Sequence, residues 1–357
     1  MNKKALRADL LLLLTAAIWG FGFVAQRSGM EYIGPFAFNG IRFILGSLSL
    51  LPLIFFRRKK LKLSVSLSSP PFPFKHVVLS SFIAGCLLFV AVILQQIGII
   101  FTTAGNAGFI TGLYVVFTPV FGIFLKRKTG LPTWIGSALT LAGLYFISVA
   151  GNPGSINPGD IIIFVSAFFW TAHVLLIDRL MNAANHSKND KQLILESAVV
   201  SAESQSKLDP VELSCGQFAF CGFFSLIGAF TAEPYVVRIV ESIDSSLLSI
   251  GLFSWLPFLE LIKAVSSGAV MITAEAIIPI LYGGLCSVGI AYTLQVAAQR
   301  DAPPAHATII LCFEGCFAAL GGALLLSEKF GTWTLFGFAF MLAGMMFTQI
   351  DIQKRKK

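Results

Sequence analysis

Two ionisable residues lie within long apolar stretches of this 357-residue chain and are its first candidates for chemistry. Glu314 stands near the middle of the stretch 304–326, and Arg42 stands seven residues into the stretch 35–56. In hydrocarbon an ionisable side chain is expensive unless it has a partner or a wet cavity. Glu314 is therefore predicted either to carry a proton or to hydrogen-bond a neighbouring helix. Arg42 is predicted to meet an anionic substrate, to neutralise Glu314 or to reach the outer interface.

Aromatic side chains accompany these two residues. Trp19 and Trp170 occupy equivalent places in the first and sixth apolar stretches. His173 follows Trp170 by three residues, which places both side chains on one helix face. Paired Trp rings either wall a cavity for an aromatic or apolar metabolite or simply pack. The predicted substrate cavity is lined by Trp19, Arg42, Tyr114, Trp170, His173 and Glu314.

The composition indicates which elements must position these residues. Hydrophobic residues make up 56% of the chain and charged residues 12%, against about a quarter charged in soluble domains. This argues against a soluble enzyme, a disordered chain and a secreted disulfide scaffold. The net charge of +8 does not indicate nucleic-acid binding, because the basic residues flank apolar stretches. The six cysteines are scattered without a CxxC pair and are expected to be unpaired and buried.

Ten stretches have the roughly 20 mostly apolar residues that a helix needs to cross hydrocarbon. The sequence therefore predicts an all-α integral membrane protein. The predicted transmembrane helices are 8–26, 35–56, 76–99, 104–125, 131–150, 160–178, 211–230, 276–298, 304–326 and 331–350.

The Lys and Arg residues predict the orientation. With the N-terminus inside, 21 of the 26 basic residues lie in inner segments and four in outer segments. Because cytoplasmic loops carry an excess of basic residues, both termini are predicted in the cytoplasm. The expected location is a plasma membrane, in a bacterium the inner membrane.

Two segments interrupt the regular pattern. Residues 181–209 are polar and predict a cytoplasmic loop. Residues 231–275 lie on the predicted outer side and contain the apolar patch 247–259, which is too short to span. An interfacial helix or a cap over the outer mouth is expected there.

The order of matched residues predicts an internal repeat, with halves 1–150 and 151–357. Its matched positions are collinear: Asp9, Trp19 and Met30 with Asp160, Trp170 and Met181; Pro35 and Phe43 with Pro210 and Phe218; Gln95, Ala107, Ile110 and Gly122 with Gln295, Ala307, Ile310 and Gly322. Glu314 has Tyr114 as its repeat mate, and Arg42 has Gln217. Five helices in each half is an odd number, so the second copy must enter the membrane from the opposite side. The prediction is an inverted repeat around a central cavity, an architecture of secondary transporters.

Glycines and rim residues repeat as well. Gly136 and Gly143, with their mates Gly337 and Gly344, stand seven apart and are predicted to pack helices closely, within the chain or between subunits of a homodimer. Four polar mates near helix ends are expected at the membrane rim rather than in the substrate site: Gln95, Gln295, Asn106 and His306.

Five segments resemble the EamA-type branch of the drug/metabolite transporter superfamily: AAIWGFGFVAQ (16–26), PFAFNGIRF (35–43), TTAGNAGFITGLY (102–114), FFWTAHVLL (168–176) and AHATIILCFEGCFAALGG (305–322). The resemblance implies ten helices around a cavity built from helices 1–4 and 6–9, with helices 5 and 10 peripheral. Two features depart from the family pattern. KRKTGL (126–131) lacks the Gly-Glu ending common after helix 4, and the insertion 231–275 has no family role.

The sequence contains no HExxH, GxSxG or Walker motif, so neither an enzyme nor an ATP-driven pump is indicated. No cofactor or metal site is expected. The favoured function is secondary transport of a small organic metabolite, an amino acid or similar amphipathic compound, with protons as a candidate coupling ion. An intramembrane enzyme acting on a lipid-linked substrate and a structural or sensory membrane protein are the alternatives. The enzyme would need a second intramembrane acid or metal ligand beside Glu314.

The charge distribution predicts the side on which each loop lies. Reporters fused after positions 60, 128, 195 and 357 should be cytoplasmic, and those after 30, 153 and 240 should be outside, because basic loops remain in the cytoplasm. Fluorescence of a green fluorescent protein fusion and activity of an alkaline phosphatase fusion measure the two sides. A cytoplasmic reporter after position 153 would contradict the inverted repeat.

Overall fold

The described part of the chain is built from helices. The computed structural model describes residues 3–30, 32–64, 74–125, 129–148, 158–181, 208–233, 235–236, 274–327 and 332–355. Its helices, in chain order, are α1 (Lys3–Gly29), α2 (Pro35–Ser64), α3 (Phe74–Gly98), α4 (Ala104–Thr111), α5 (Tyr114–Phe124), α6 (Leu131–Ser148), α7 (Pro158–Met181), α8 (Pro210–Thr231), α9 (Ala274–Leu281), a π-helical segment (Tyr282–Tyr292), α10 (Thr293–Ala298), α11 (Pro304–Leu311), α12 (Phe313–Leu325) and α13 (Thr332–Arg355).

These helices confirm the predicted all-α membrane fold. Within the described residues, eight helical stretches are long and apolar enough to cross a membrane, and two shorter apolar helices cover Leu131–Phe146 and Leu335–Phe347. Together they match the ten predicted spans. Two predicted features, the loop 181–209 and the insertion 231–275, lie almost wholly outside the described residues.

Two spans are interrupted at the same depth. The helix that the sequence predicted over 104–125 is divided into α4 and α5 by Gly112 and Leu113, and the helix over 304–326 is divided into α11 and α12 by Cys312. At each interruption the backbone tightens into i→i+3 hydrogen bonds, from Leu113 N to Ile110 O at 3.2 Å and from Gly315 N to Cys312 O at 3.0 Å. Tyr114 begins α5, and Glu314 lies in the first turn of α12.

The eighth span differs from its repeat mate, the regular helix α3. Its middle, Tyr282–Tyr292, is an 11-residue π-helix between α9 and α10. Side chains of α1 bond to its backbone: Trp19 Nε1 donates to Ser287 O at 3.2 Å, and Thr15 Oγ1 donates to Ala291 O at 3.2 Å. These bonds hold the segment against α1. π-helical turns are frequent at functional sites.

The two short apolar helices α6 and α13 pack closely on each other at one side of the fold. A Cβ added at Gly143 would lie 2.6 Å from the carbonyl oxygen of Gly337, and one added at Gly344 would lie 2.7 Å from that of Gly136. The four predicted packing glycines therefore face each other within the chain, each opposite the neighbour of its repeat mate: Gly143 opposite Gly337 and Gly344 opposite Gly136. Their lack of side chains lets the two backbones approach.

Adding a methyl group at this crossing should destabilise the protein. Gly143→Ala or Gly344→Ala should cost about 1–3 kcal/mol, because the new Cβ would overlap backbone carbonyls that cannot move aside. Leucine at either position should further lower the amount of folded protein. Thermal unfolding in detergent measures the effect.

Gly22→Ala is the matched control, since a Cβ there would lie 3.5 Å from Ser287 Oγ, an ordinary contact. Unchanged stability of both variants at Gly143 and Gly344 would contradict the packing role.

Candidate functional site

A cavity lies among the interrupted spans and the π-helical segment. The space, including the part that is open to solvent, is about 360 Å³. Its lining combines aromatic rings with a few polar groups, the usual composition of a small-molecule site. The lining residues are Trp19, Phe23, Gln26, Arg42, Gln95, Thr111, Tyr114, Trp170, Ser287, Tyr292 and Glu314. None of them comes from α6 or α13, which are peripheral.

Three aromatic rings form one wall of the cavity. The Trp19 ring centroid lies 6.3 Å from that of Trp170 and 4.6 Å from that of Tyr292, and Trp170 and Tyr292 stack at 5.9 Å. The indole N–H of Trp170 donates to Gln95 Oε1 at 2.6 Å, which fixes the ring. The wall is therefore apolar on its face and anchored by hydrogen bonds behind it.

The two helix interruptions meet at the cavity. Tyr114 Oη donates to Glu314 Oε1 at 2.9 Å, and both side chains are buried. Next to them, Cys312 Sγ contacts the carbonyl oxygen of Gly112 at 3.1 Å. Among the described residues that line the cavity, the one carboxylate is thus bonded to its own repeat mate.

Arg42 lines the same cavity without pairing with Glu314. Its side chain is 3% exposed, and no ion pair involving it occurs among the described residues. Its guanidinium carbon lies 5.4 Å from the Phe38 ring centroid and 5.1 Å from that of Phe43, and its Nε has no hydrogen-bond partner. The cation is held against two rings, and no carboxylate in the described part of the chain forms an ion pair with it.

His173 lies behind the cavity rather than in its lining. It is fully buried, its ring is edge-on to Trp170 at 6.0 Å, and its Nε2 lies 3.0 Å from Gln217 Oε1. The helix face shared with Trp170 is therefore correct, but the side chain supports the aromatic wall instead of facing the cavity.

Repeat mates contact each other along one line through the site. Besides Tyr114 with Glu314, Gly112 meets Cys312, Trp19 meets Trp170, and the rings of Phe43 and Phe218 lie 6.0 Å apart. Residues related by a two-fold axis can touch only where the axis passes between them. The cavity therefore lies on the pseudo-two-fold axis of the repeat.

The structure corrects the expected position of Gln95. It was predicted at the membrane rim, but it lines the cavity and accepts the Trp170 hydrogen bond. Gln95 stands only three residues before the end of α3, and for this reason the sequence placed it near the membrane surface rather than in the cavity. Ser287 and Tyr292 were not predicted at all, because the sequence gives no signal for the π-helical segment that presents them.

Hydrogen bonds join the spans at the predicted cytoplasmic end. His306 Nε2 lies 2.8 Å from Asp9 Oδ1, which links the starts of α11 and α1. Arg58 Nε donates to Glu212 Oε1 at 2.8 Å, which links α2 to α8. His306 lies at the start of α11, and its place at the membrane rim stays a prediction.

The predicted outer end is joined as well. Glu233 Oε2 accepts the backbone N–H of Ala37 at 2.9 Å and so caps the start of α2 from the end of α8. Burial raises the pKa of the Glu233 carboxyl to about 7. The hydrogen bonds that it accepts from backbone N–H groups act in the opposite direction, because they favour the charged form. Thr102 Oγ1 donates to Asp160 Oδ1 at 2.9 Å, which links the end of α3 to α7.

Among the described residues, no group of three His, Cys, Asp or Glu side chains is placed to hold a metal ion. The described lining of the cavity combines aromatic rings with Arg42, Glu314 and a few uncharged polar groups. What distinguishes it from an ordinary core is the pair of buried ionisable groups that are not paired with each other.

Comparison with a solved structure supports this fold. A crystal structure covers 98% of this chain and 99% of its own, with a TM-score of 0.64 at 13% sequence identity.

Several bacterial and archaeal proteins are similar in sequence. An uncharacterized transporter of Archaeoglobus fulgidus is 33% identical over 51% of this chain and 52% of its own length. The uncharacterized inner membrane transporter YedA of Escherichia coli K12 is 24% identical over 63% of this chain and 72% of its own. The uncharacterized transporter YvbV of Bacillus subtilis is 26% identical over 72% and 75%. The match spans about half the length of the archaeal relative.

The sequence profile of the EamA-like transporter family matches residues 6–149 and 197–350. These two segments contain every residue that lines the cavity except Trp170. The chain therefore belongs to the EamA-like transporter family.

Proposed function

We propose that this protein is a secondary active transporter that moves a small organic metabolite across the plasma membrane by alternating access. The observation that carries the proposal is the Tyr114–Glu314 hydrogen bond, which joins two interrupted spans on the pseudo-two-fold axis. Interrupted helices at the interface of inverted repeats form the substrate sites of many secondary transporters. The E. coli relative is named an inner membrane transporter, which supports the same membrane for this chain.

The cavity lining supports an amphipathic substrate such as an amino acid. Trp19, Trp170 and Tyr292 offer apolar faces, whereas Arg42 and Glu314 offer one group of each charge type. A ligand with an apolar body and a charged end can contact both sets at once. The rings lie within 4.6–6.3 Å of each other, so the spans must separate to admit such a ligand.

Alternating access needs contacts that close each end in turn. The Asp9–His306 pair at the predicted inner end and the Glu233–Ala37 bond at the predicted outer end each join different spans. Both contacts are polar and lie near the helix ends, where water can replace them when they open. The Tyr114–Glu314 contact lies in the middle of its spans, far from either end.

Glu314 is the residue that we assign to proton coupling. A carboxyl group can carry one proton, and this one lies where the two halves meet. Separation of the spans on one side or the other would expose it alternately to the two compartments. A proton bound from one side could then be released to the other together with the substrate or against it.

The test is Glu314→Gln in proteoliposomes with an imposed pH gradient. Glutamine keeps the size and can still accept a hydrogen bond from Tyr114, but it cannot carry a proton. With any metabolite of a labelled panel that the wild-type protein accumulates, proton-driven accumulation should fall to the level of protein-free liposomes. Exchange between compartments of equal pH should persist.

Glu212→Gln is the control, because it removes a carboxylate whose ion pair with Arg58 lies at the helix end. Exposed pairs contribute only about 0–1 kcal/mol, so both accumulation and exchange should be unchanged. Proton-driven accumulation by Glu314→Gln at the wild-type level would refute the coupling role. A panel with no protein-dependent uptake in either assay would refute the transport proposal.

A further inference from the structure

Arg42 is a buried cation for which the described chain supplies no anion. It lies in the cavity lining at 3% exposure, yet it forms no ion pair among the described residues. A buried charge is normally paired, because removing it from water carries a large free-energy cost. The rings of Phe38 and Phe43 reduce this cost only in part, since a cation–π contact contributes about 0.5–2 kcal/mol.

Glu314 does not serve as the missing partner in this conformation. Its Oε1 accepts from Tyr114, and it forms no ion pair with Arg42 although both line the same cavity. The inner-end carboxylates Asp209 and Glu212 pair with Arg57 and Arg58. An anion for Arg42 must therefore come from outside the described chain.

We propose that Arg42 binds the carboxylate of the substrate, so that the substrates are small organic carboxylates with an aromatic or apolar body. This inference rests on the proposed transport function. A guanidinium group presents its N–H donors in a planar fork that matches a carboxylate with two parallel hydrogen bonds. The unpartnered Nε belongs to that fork.

The aromatic wall selects the remainder of the molecule. Trp19 and Trp170 line the same cavity as Arg42, and both of their indole N–H groups are already bonded, so they offer ring faces to a ligand. The Tyr292 ring centroid lies 4.6 Å from that of Trp19 and 5.9 Å from that of Trp170 in the same wall. A ring or a short hydrocarbon can stack there while its carboxylate reaches Arg42. A neutral isostere would keep the stacking but leave the cation unpaired.

The experiment compares acids with their amides on the purified full chain in detergent. The probes are phenylacetate with phenylacetamide, and indole-3-acetate with indole-3-acetamide. Binding is read from the rise in melting temperature with ligand concentration, which reports affinity for the folded state. The wild-type protein should bind each acid more tightly than its amide.

Arg42→Gln should bind the acids roughly 10- to 100-fold more weakly, which is the effect of losing hydrogen bonds to a charged group. Its affinity for the amides should change little. Arg42→Lys should be intermediate, because lysine keeps the charge without the planar fork. Unligated Arg42→Gln should melt no lower than the wild-type protein, since it removes an unpaired buried charge.

Arg27→Gln is the matched control. Arg27 is on α1 outside the cavity, where its Nη1 donates to the carbonyl oxygen of Ile100 at 3.2 Å. The preference for acid over amide should survive this substitution. Its loss in Arg27→Gln would mean that overall positive charge, rather than Arg42, attracts the acids, and would overturn the assignment.

Two further outcomes would overturn the inference. One is equal binding of acid and amide by the wild-type protein; the other is a lower melting temperature of Arg42→Gln with unchanged acid affinity, which would make Arg42 a packing residue. Protein-dependent transport of amines or neutral compounds, but not of the acids, would refute the carboxylate assignment and leave the transport function standing. Absence of uptake of every compound class in proteoliposomes would refute both.

Discussion

The absence of water in hydrocarbon is the constraint on which this structure depends. Each polar group placed there must find its partner within the protein. The chain meets this demand by directing polar side chains of one span onto the next: Trp19 bonds to the carbonyl oxygen of Ser287, and Tyr114 to Glu314. The same rule makes Arg42 conspicuous, because it is a buried cation with no ion pair among the described residues. This is the observation on which the proposed carboxylate site rests.

Much of the fold could be predicted because its signal is local. A run of 20 apolar residues is unusual in a soluble chain, so the spans are evident without knowledge of their packing. Charges within such runs stand out for the same reason, which is how Glu314 and Arg42 were found. Five of the six predicted cavity residues line the cavity in the structure, and His173 lies just behind it. The proposal that they bind substrate rests on that placement and is open to the experiments above.

The remaining features depend on contacts between distant segments. Tyr292 and Ser287 belong to a π-helical segment. Its i→i+5 hydrogen bonding changes which side chains share a helix face. The residue pattern of the sequence does not predict such a segment. Gln95 lies near the end of its helix, but α3 is placed so that this end reaches the cavity. The partner of a buried polar group is set by the packing of two spans. The sequence could show that Tyr114 and Glu314 are repeat mates, but it could not show that they form a hydrogen bond.

The contacts between repeat mates have a consequence for motion. Suppose that each inverted half takes up the conformation of the other. A contact between two residues is then replaced by the contact between their two repeat mates. A contact between mates is converted into itself, so Tyr114–Glu314 and Trp19–Trp170 are invariant under the exchange. The Asp9–His306 pair, by contrast, is converted into Asp160 with Asn106 at the opposite surface. Under the proposed alternating access, the carboxyl of Glu314 would face each compartment in turn and keep its hydrogen bond to Tyr114, so the pair would be the fixed pivot of the exchange.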